Sequence, residues 1–455
     1  ACIDHRQIIM AILGFHIVVS LIVLTVLSKI GSRASFLKIL VSSLVRYIAP
    51  SNDELRALLP PVVETRAKQR RKRKEEEDAN GFNVPRQLPF TLKKAYVRVE
   101  ELEKFPLYSS IHWICLFVPA ALFVFVLSDL FLLWNPTSSD MNTSFIWLIV
   151  GLAFCLQILA RLTALLLSGE DEKSLLFSLS ILIFFALFVF TVFVDRIFDI
   201  SLLDAYTHLR TVAAEMANEE VAIKPESPLL LYISLVVLYT TIGCSLIFPS
   251  LRFATMFQGA YANADPFGKV VLPSVVLIPL VTIVSFSHPF RLYMTEGRRV
   301  WMTMEQLQVL RINLCLVWCF LRLCFFRQFL QVHLDLAYDK VVALQRQSGK
   351  IRNIQLQSMI FQYYSYLCPA IAQFLIPIAL VLFLSLLLKG TTGLAFVGES
   401  SAIAETTSNI ASLSTVFNTT VCRSMFSFSL LSIVMLDFGL SLVGLVYNSY
   451  FIRTV

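Results

Sequence analysis

The feature that most constrains this chain is a succession of apolar runs with short polar stretches between them. The runs cover 8–28, 111–134, 145–167, 175–194, 229–248, 270–286, 307–326, 359–388 and 425–447. Each supplies roughly the 20 residues that an α-helix rising 1.5 Å per residue needs to cross a 30 Å hydrocarbon core. Of the 455 residues, 57% are hydrophobic and only 15% charged, where a soluble domain carries about a quarter. Such a chain cannot cover its surface with polar groups, so its solvent is lipid. The expected fold is therefore all-α: a polytopic helix bundle of about nine transmembrane helices. With 37 Phe and only 15 Gly, a large glycine-rich nucleotide-binding fold is not expected.

Charge sets the expected orientation. The chain carries a net +7, and most of the excess lies in 31–104. Lys29, Arg33 and Lys38 follow the first apolar run. Positive flanks stay on the cytoplasmic side, which places the N-terminus outside. That run is too long for a signal-peptide core and no small-x-small site follows it, so it reads as a retained first helix, 1–29. Segment 30–110 is then a basic cytoplasmic loop facing anionic lipid headgroups rather than nucleic acid. Within it, 36–48 alternates Lys38 and Arg46 with Phe36, Leu40 and Leu44, the pattern of an amphipathic helix in the membrane interface. Ser51 and Glu54 form a capping-box pattern. Arg66 to Lys74 followed by Glu75 to Asp78 reads as solvated linker, dispensable for folding.

The remaining span, 111–455, reads as an eight-helix bundle. The apolar pattern of the seventh run continues through Leu330, Leu334 and Val341 to Gly349, which implies a cytoplasmic helical hairpin. Nine spans put both N-x-[ST] sequons, at Asn142 and Asn418, outside, together with Arg291, Arg298 and Arg299. Asn418 is the better glycosylation candidate, because Asn142 abuts a span. The C-terminus falls in the cytoplasm. The membrane could be the plasma membrane or an endomembrane.

No P-loop, GxSxG, HExxH or dinucleotide fingerprint is present. The six His residues form no pair at ligand spacing. Most of the nine Cys lie inside apolar runs as small hydrophobes; Cys315 and Cys319, one helical turn apart, find no second ligand pair. We therefore expect no catalytic residue, cofactor or metal.

The informative residues are charges within the spans, because they are costly in hydrocarbon and seek partners in the bundle interior. They are Asp129 in the second span, Arg161 in the third, Arg311 and Arg322 on one face of the seventh, and Asp437 near the centre of the last. Counted from the exterior ends, Asp437 lies about 20 Å deep and Arg161 and Arg322 about 24 Å deep. An ion or proton path and a buried ion pair that locks helices together both account for this cluster. Pro273 and Pro279 in the sixth span and Pro369 and Pro377 in the eighth mark possible broken helices, which frame transport sites in some membrane proteins and are common in membrane helices generally.

The chain resembles the transmembrane protein 161 family nearly end to end. The resemblance rests on Arg46-Tyr47, Asp53-Glu54-Leu55-Arg56, Phe248-Pro249-Ser250-Leu251-Arg252, Leu321-Arg322-Leu323, Leu334 to Ala337, Gly349-Lys350-Ile351, Leu356-Gln357, Tyr366-Leu367-Cys368, Leu386 to Lys389, and Arg423 with Ser427-Phe428. The 66–78 charge block departs from the family, and the loop 390–421 is shorter than in vertebrate members. The resemblance implies a non-enzymatic membrane protein that regulates or scaffolds other membrane proteins. It also implies links to cation currents, ciliary signalling and resistance to oxidative stress. It carries over no catalytic residue, and the A and B types are not distinguished. The alternative is a channel, transporter or lipid-moving protein with a path near Asp437.

Overall fold

The computed structural model describes residues 14–31, 36–59, 82–134, 142–167, 169–216, 228–392 and 419–452. Among them, eight helices are long and apolar enough to cross a bilayer: Tyr108–Trp134, Ser144–Leu166, Glu172–Ile197, Leu229–Ala262, Pro266–Ser285, Met304–Cys324, Asn353–Thr392 and Thr419–Tyr450. A ninth, shorter apolar helix spans Phe15–Ile30, and the start of its apolar run lies outside the described residues. The fold is an all-α polytopic bundle; among the described residues the only sheets are two antiparallel pairs of short strands.

The chain divides into two units. The first, a membrane unit, comprises 1–35, 112–324 and 372–455. Its core is the Leu367–Thr392 helix, in which every residue from 372 to 389 is buried. A helix apolar on all faces has no amphipathic preference and is stable in the centre, ringed by others. Its neighbours instead turn large apolar side chains outward, Leu182, Phe185 and Leu230 among them, as lipid-facing helices must. Two expected spans are broken. The helix that carries the eighth span breaks at Tyr366 into Asn353–Ser365 and Leu367–Thr392, because Pro369 lacks an N–H and crowds the carbonyl of Ser365. The sixth span is two helices, Pro266–Val271 and Ser274–Ser285, parted at Leu272-Pro273; Pro279 and Pro377 are absorbed within helices.

Close helix packing uses small residues, as membrane interfaces generally do. At Gly444 of the Thr419–Tyr447 helix, a Cβ would lie 2.8 Å from Ala254 Cβ and 3.4 Å from Leu251 Cα. At Gly439 of the same helix nothing stands within 4 Å of that position. Gly444→Val should therefore destabilise by about 1–3 kcal/mol through overpacking, whereas Gly439→Ala should not. Unfolding in mixed micelles measures both; equal effects would mean the close crossing at Gly444 is absent.

The second unit comprises 36–111 and 325–371. Residues 325–371, which carry the expected helical hairpin, are grouped with 36–111. The reason is the apolar face of the hairpin formed by Phe326–Gln345 and Asn353–Ser365. Its Val341, Leu356 and Ile360 pack with Leu55, Phe82, Val84, Leu88 and Phe90 in one cluster. Gly349, with φ +119°, turns the chain between the helices. The 36–48 interfacial helix is also corrected: only Phe36–Val41 is helical, and Val45–Ile48 is a strand paired with Lys93–Tyr96, Val45 opposite Tyr96. Valine, tyrosine and isoleucine favour a pleated surface once a partner is present, and Leu37, Val41 and Leu44 are fully buried. A second strand pair joins Asn83–Pro85 to Lys350–Arg352. The capping box at Ser51 and Glu54 is formed.

Polar contacts complete this unit. Arg46 grips Glu101 with two nitrogens, at 2.7 and 2.9 Å, while the Tyr364 hydroxyl donates to the same carboxylate at 2.9 Å. Tyr47 donates to Asp335 at 3.1 Å. Burial, then the neighbouring carboxylate, pushes the Tyr47 phenol up to about 12. The resemblance-bearing patches at Arg46-Tyr47, Asp53 to Arg56, Leu334 to Ala337, Gly349 to Ile351, Leu356-Gln357 and Tyr366 to Cys368 all fall in this unit. The 66–78 block lies outside the described residues.

Candidate functional site

Three charged constellations lie in the membrane unit. The first is set by Asp437 on the buried stripe of Thr419–Tyr447. Arg322, near the end of Met304–Cys324, donates from Nη1 to Asp437 Oδ2 at 3.0 Å, and the Ser250 hydroxyl donates to Oδ1 at 3.0 Å. Arg322 is 0% exposed and Asp437 4%. The guanidinium lies against the rings of Phe253 at 4.0 Å, Trp318 at 4.9 Å and Phe374 at 5.4 Å. Those aromatic faces offset the absence of acceptors for Nε and Nη2 among the described residues. The adjoining cavity, lined by Asp437, Thr282 and Trp318, holds only about 10 Å³, at the lower limit for one water.

The second constellation stands toward the start of Met304–Cys324. Asp199 accepts from Arg291 Nη1 at 2.8 Å and from Arg311 Nη1 at 3.0 Å, so one carboxylate bridges two arginines. The Arg311 Nε donates to the Ser285 carbonyl at 3.0 Å, and its guanidinium lies 4.6 Å from the Phe286 ring. These side chains and Arg423 line a cavity of about 520 Å³. In the third, Lys389 donates to Asp129 at 2.7 Å beside the Phe125 ring.

The expected cluster of Asp129, Arg161, Arg311, Arg322 and Asp437 is thus not one site. The structure brings Asp437 to Arg322 but takes Arg311 to Asp199 and Asp129 to Lys389. Arg161 is exposed on Ser144–Leu166 and pairs with no described residue. Asn142 stands just ahead of that same helix, its Oδ1 accepting from the Ser144 amide at 3.0 Å and hydroxyl at 2.6 Å. Asn418 lies outside the described residues.

Sequence reasoning gave Lys389, Asp199, Arg291, Ser250 and Arg423 no role in the charge pairs. A signal existed for two of them. Lys389 directly follows the eighth run, at the level of Asp129. Asp199 lies just past the fourth run, at the end where Arg291 and Arg311 gather. In each constellation a cation meets its carboxylate directly, which suits holding helices together. The Asp437 pair in particular is buried, with aromatic rings around its guanidinium.

The chain matches a family model described as "Predicted transmembrane protein 161AB" over residues 11–407 and 398–452. No solved structure matches it.

Proposed function

The chain belongs to the transmembrane protein 161 family, and on that premise we propose that it is a non-enzymatic, non-conducting membrane protein that regulates or scaffolds other membrane proteins, cation channels foremost. The observation that carries this reading is the Arg322–Asp437 pair: the mid-membrane carboxylate is matched by a guanidinium at 3.0 Å and flanked by a cavity of only about 10 Å³. A conduction or proton path needs hydrated, exchangeable groups there; this carboxylate is held by Arg322 and Ser250 instead. In this reading the N-terminus is exterior, the C-terminus and the 36–111 and 325–371 unit are cytoplasmic, and that unit presents the regulatory surface.

Two measurements test it. The purified full chain in liposomes should carry no ion or scramblase flux above empty vesicles. In excitable cells, its removal should change the amplitude of a cation current that reappears on re-expression. Flux abolished by Asp437→Asn would overturn the proposal in favour of a transporter or channel.

A further inference from the structure

The geometry points to a phosphate-binding site in the cavity between Asp199, Arg291, Arg311 and Arg423. The cavity holds about 520 Å³, within the range of small-ligand sites. Arg311 lines it and is only 3% exposed, yet its Nη2 has no acceptor among the described residues. Its Nη1 and Nε are occupied by Asp199 and Ser285, so Nη2 is the one guanidinium nitrogen left over. Arg423, on the same wall, carries a buried Nε without an acceptor, and Arg291 another. A buried N–H donor of a charged group without an acceptor is costly, and the three arginines that carry such donors all line this cavity.

The carboxylates nearby do not fill that demand; Glu305 acts on the Arg423 charge from a distance, is exposed and makes no hydrogen bond to it among the described residues. Asp199 has given one oxygen to each of two arginines. Asp195 accepts from the Leu202 amide at 2.7 Å and faces the Tyr232 hydroxyl at 3.5 Å. Glu296 reaches Arg291 on its outer side at 3.4 Å and is largely exposed. Asp204 is exposed. The three guanidinium groups around one shared carboxylate are an acceptor-poor fork. A tetrahedral phosphate oxygen set answers it, since guanidinium groups bind phosphate in paired geometry. Ser424 and Ser427 on the same wall supply neutral donors. A phosphate group reaches this cavity either as a soluble ion or ester or as the headgroup of an anionic phospholipid.

The experiment uses the full chain in nanodiscs of phosphatidylcholine alone and of phosphatidylcholine mixed with phosphatidylserine. Inorganic phosphate is titrated against the thermal midpoint at constant ionic strength, with chloride as the control. Retained lipid is read by native mass spectrometry. A soluble ligand shows as a phosphate-dependent midpoint rise in phosphatidylcholine discs. A headgroup shows as phosphatidylserine that stays with the protein. In either case Arg423→Gln, which removes no described ion pair, should weaken binding about tenfold, the loss of roughly one charged hydrogen bond. Arg311→Lys keeps the charge but loses the fork and should weaken it likewise. No phosphate response and no retained anionic lipid, or binding unchanged in both variants, overturns the site.

Discussion

Asp437→Asn should lower the stability of the full chain by about 3–5 kcal/mol, because it leaves Arg322 a buried cation without a counter-charge. Arg322 cannot escape to water: it is 0% exposed and enclosed by Phe253, Trp318 and Phe374. Nor can a guanidinium give up its proton. The reverse variant, Arg322→Gln, should cost less, since Asp437 keeps the Ser250 hydroxyl as a donor. The Asp437→Asn and Arg322→Gln double variant should recover part of the summed loss. An Asp437→Leu and Arg322→Met replacement, which removes both charges, should come close to the parent, as buried pairs exchanged for apolar groups often do. Unfolding in mixed micelles gives all four values. Additivity of the two single effects would show that the pair does not interact.

Asp199→Asn is expected to be nearly as damaging, by about 3–5 kcal/mol, for a different reason. One carboxylate serves two arginines there, and Arg311 has only a 4% exposed side chain. Removing the shared charge leaves that cation buried among Arg291 and Arg423. Arg291→Gln, by contrast, should cost no more than about 1 kcal/mol, because Arg291 is a quarter exposed and water screens its pairing. The contrast between the variants is the test. If Asp199→Asn cost as little as Arg291→Gln, the bridge would be a surface ion pair and the cavity wall would be open to solvent.

Much of this was legible in the sequence because it depends on local properties. Whether a segment enters lipid depends on its length and transfer free energy, so the runs at 111–134, 145–167 and 425–447 return as Tyr108–Trp134, Ser144–Leu166 and Thr419–Tyr447. The capping box at Ser51 needs only Glu54 three residues on, and Gly349 needs only its own freedom to take φ +119°. Depth is local too, being 1.5 Å per residue from a helix end. Depth alone made Arg322 and Arg161 equal candidates for Asp437.

Rotation and neighbourhood decided between them, and those are properties of the packed bundle. Arg322 turns inward against Phe253 of the Leu229–Ala262 helix and reaches Asp437; Arg161, at matching depth, turns outward. The same choice gave Asp129 to Lys389 and Arg311 to Asp199, partners that no spacing rule along one helix could name. Tertiary structure also packed 325–371 with residues of 36–111 and made Val45–Ile48 a strand, because the apolar face of one segment and the unpaired backbone of the other were satisfied by residues far along the chain. Entry into lipid is settled within a single helix. A buried charge is settled only when the helix beside it is known, since its free energy depends on the one side chain that can reach it.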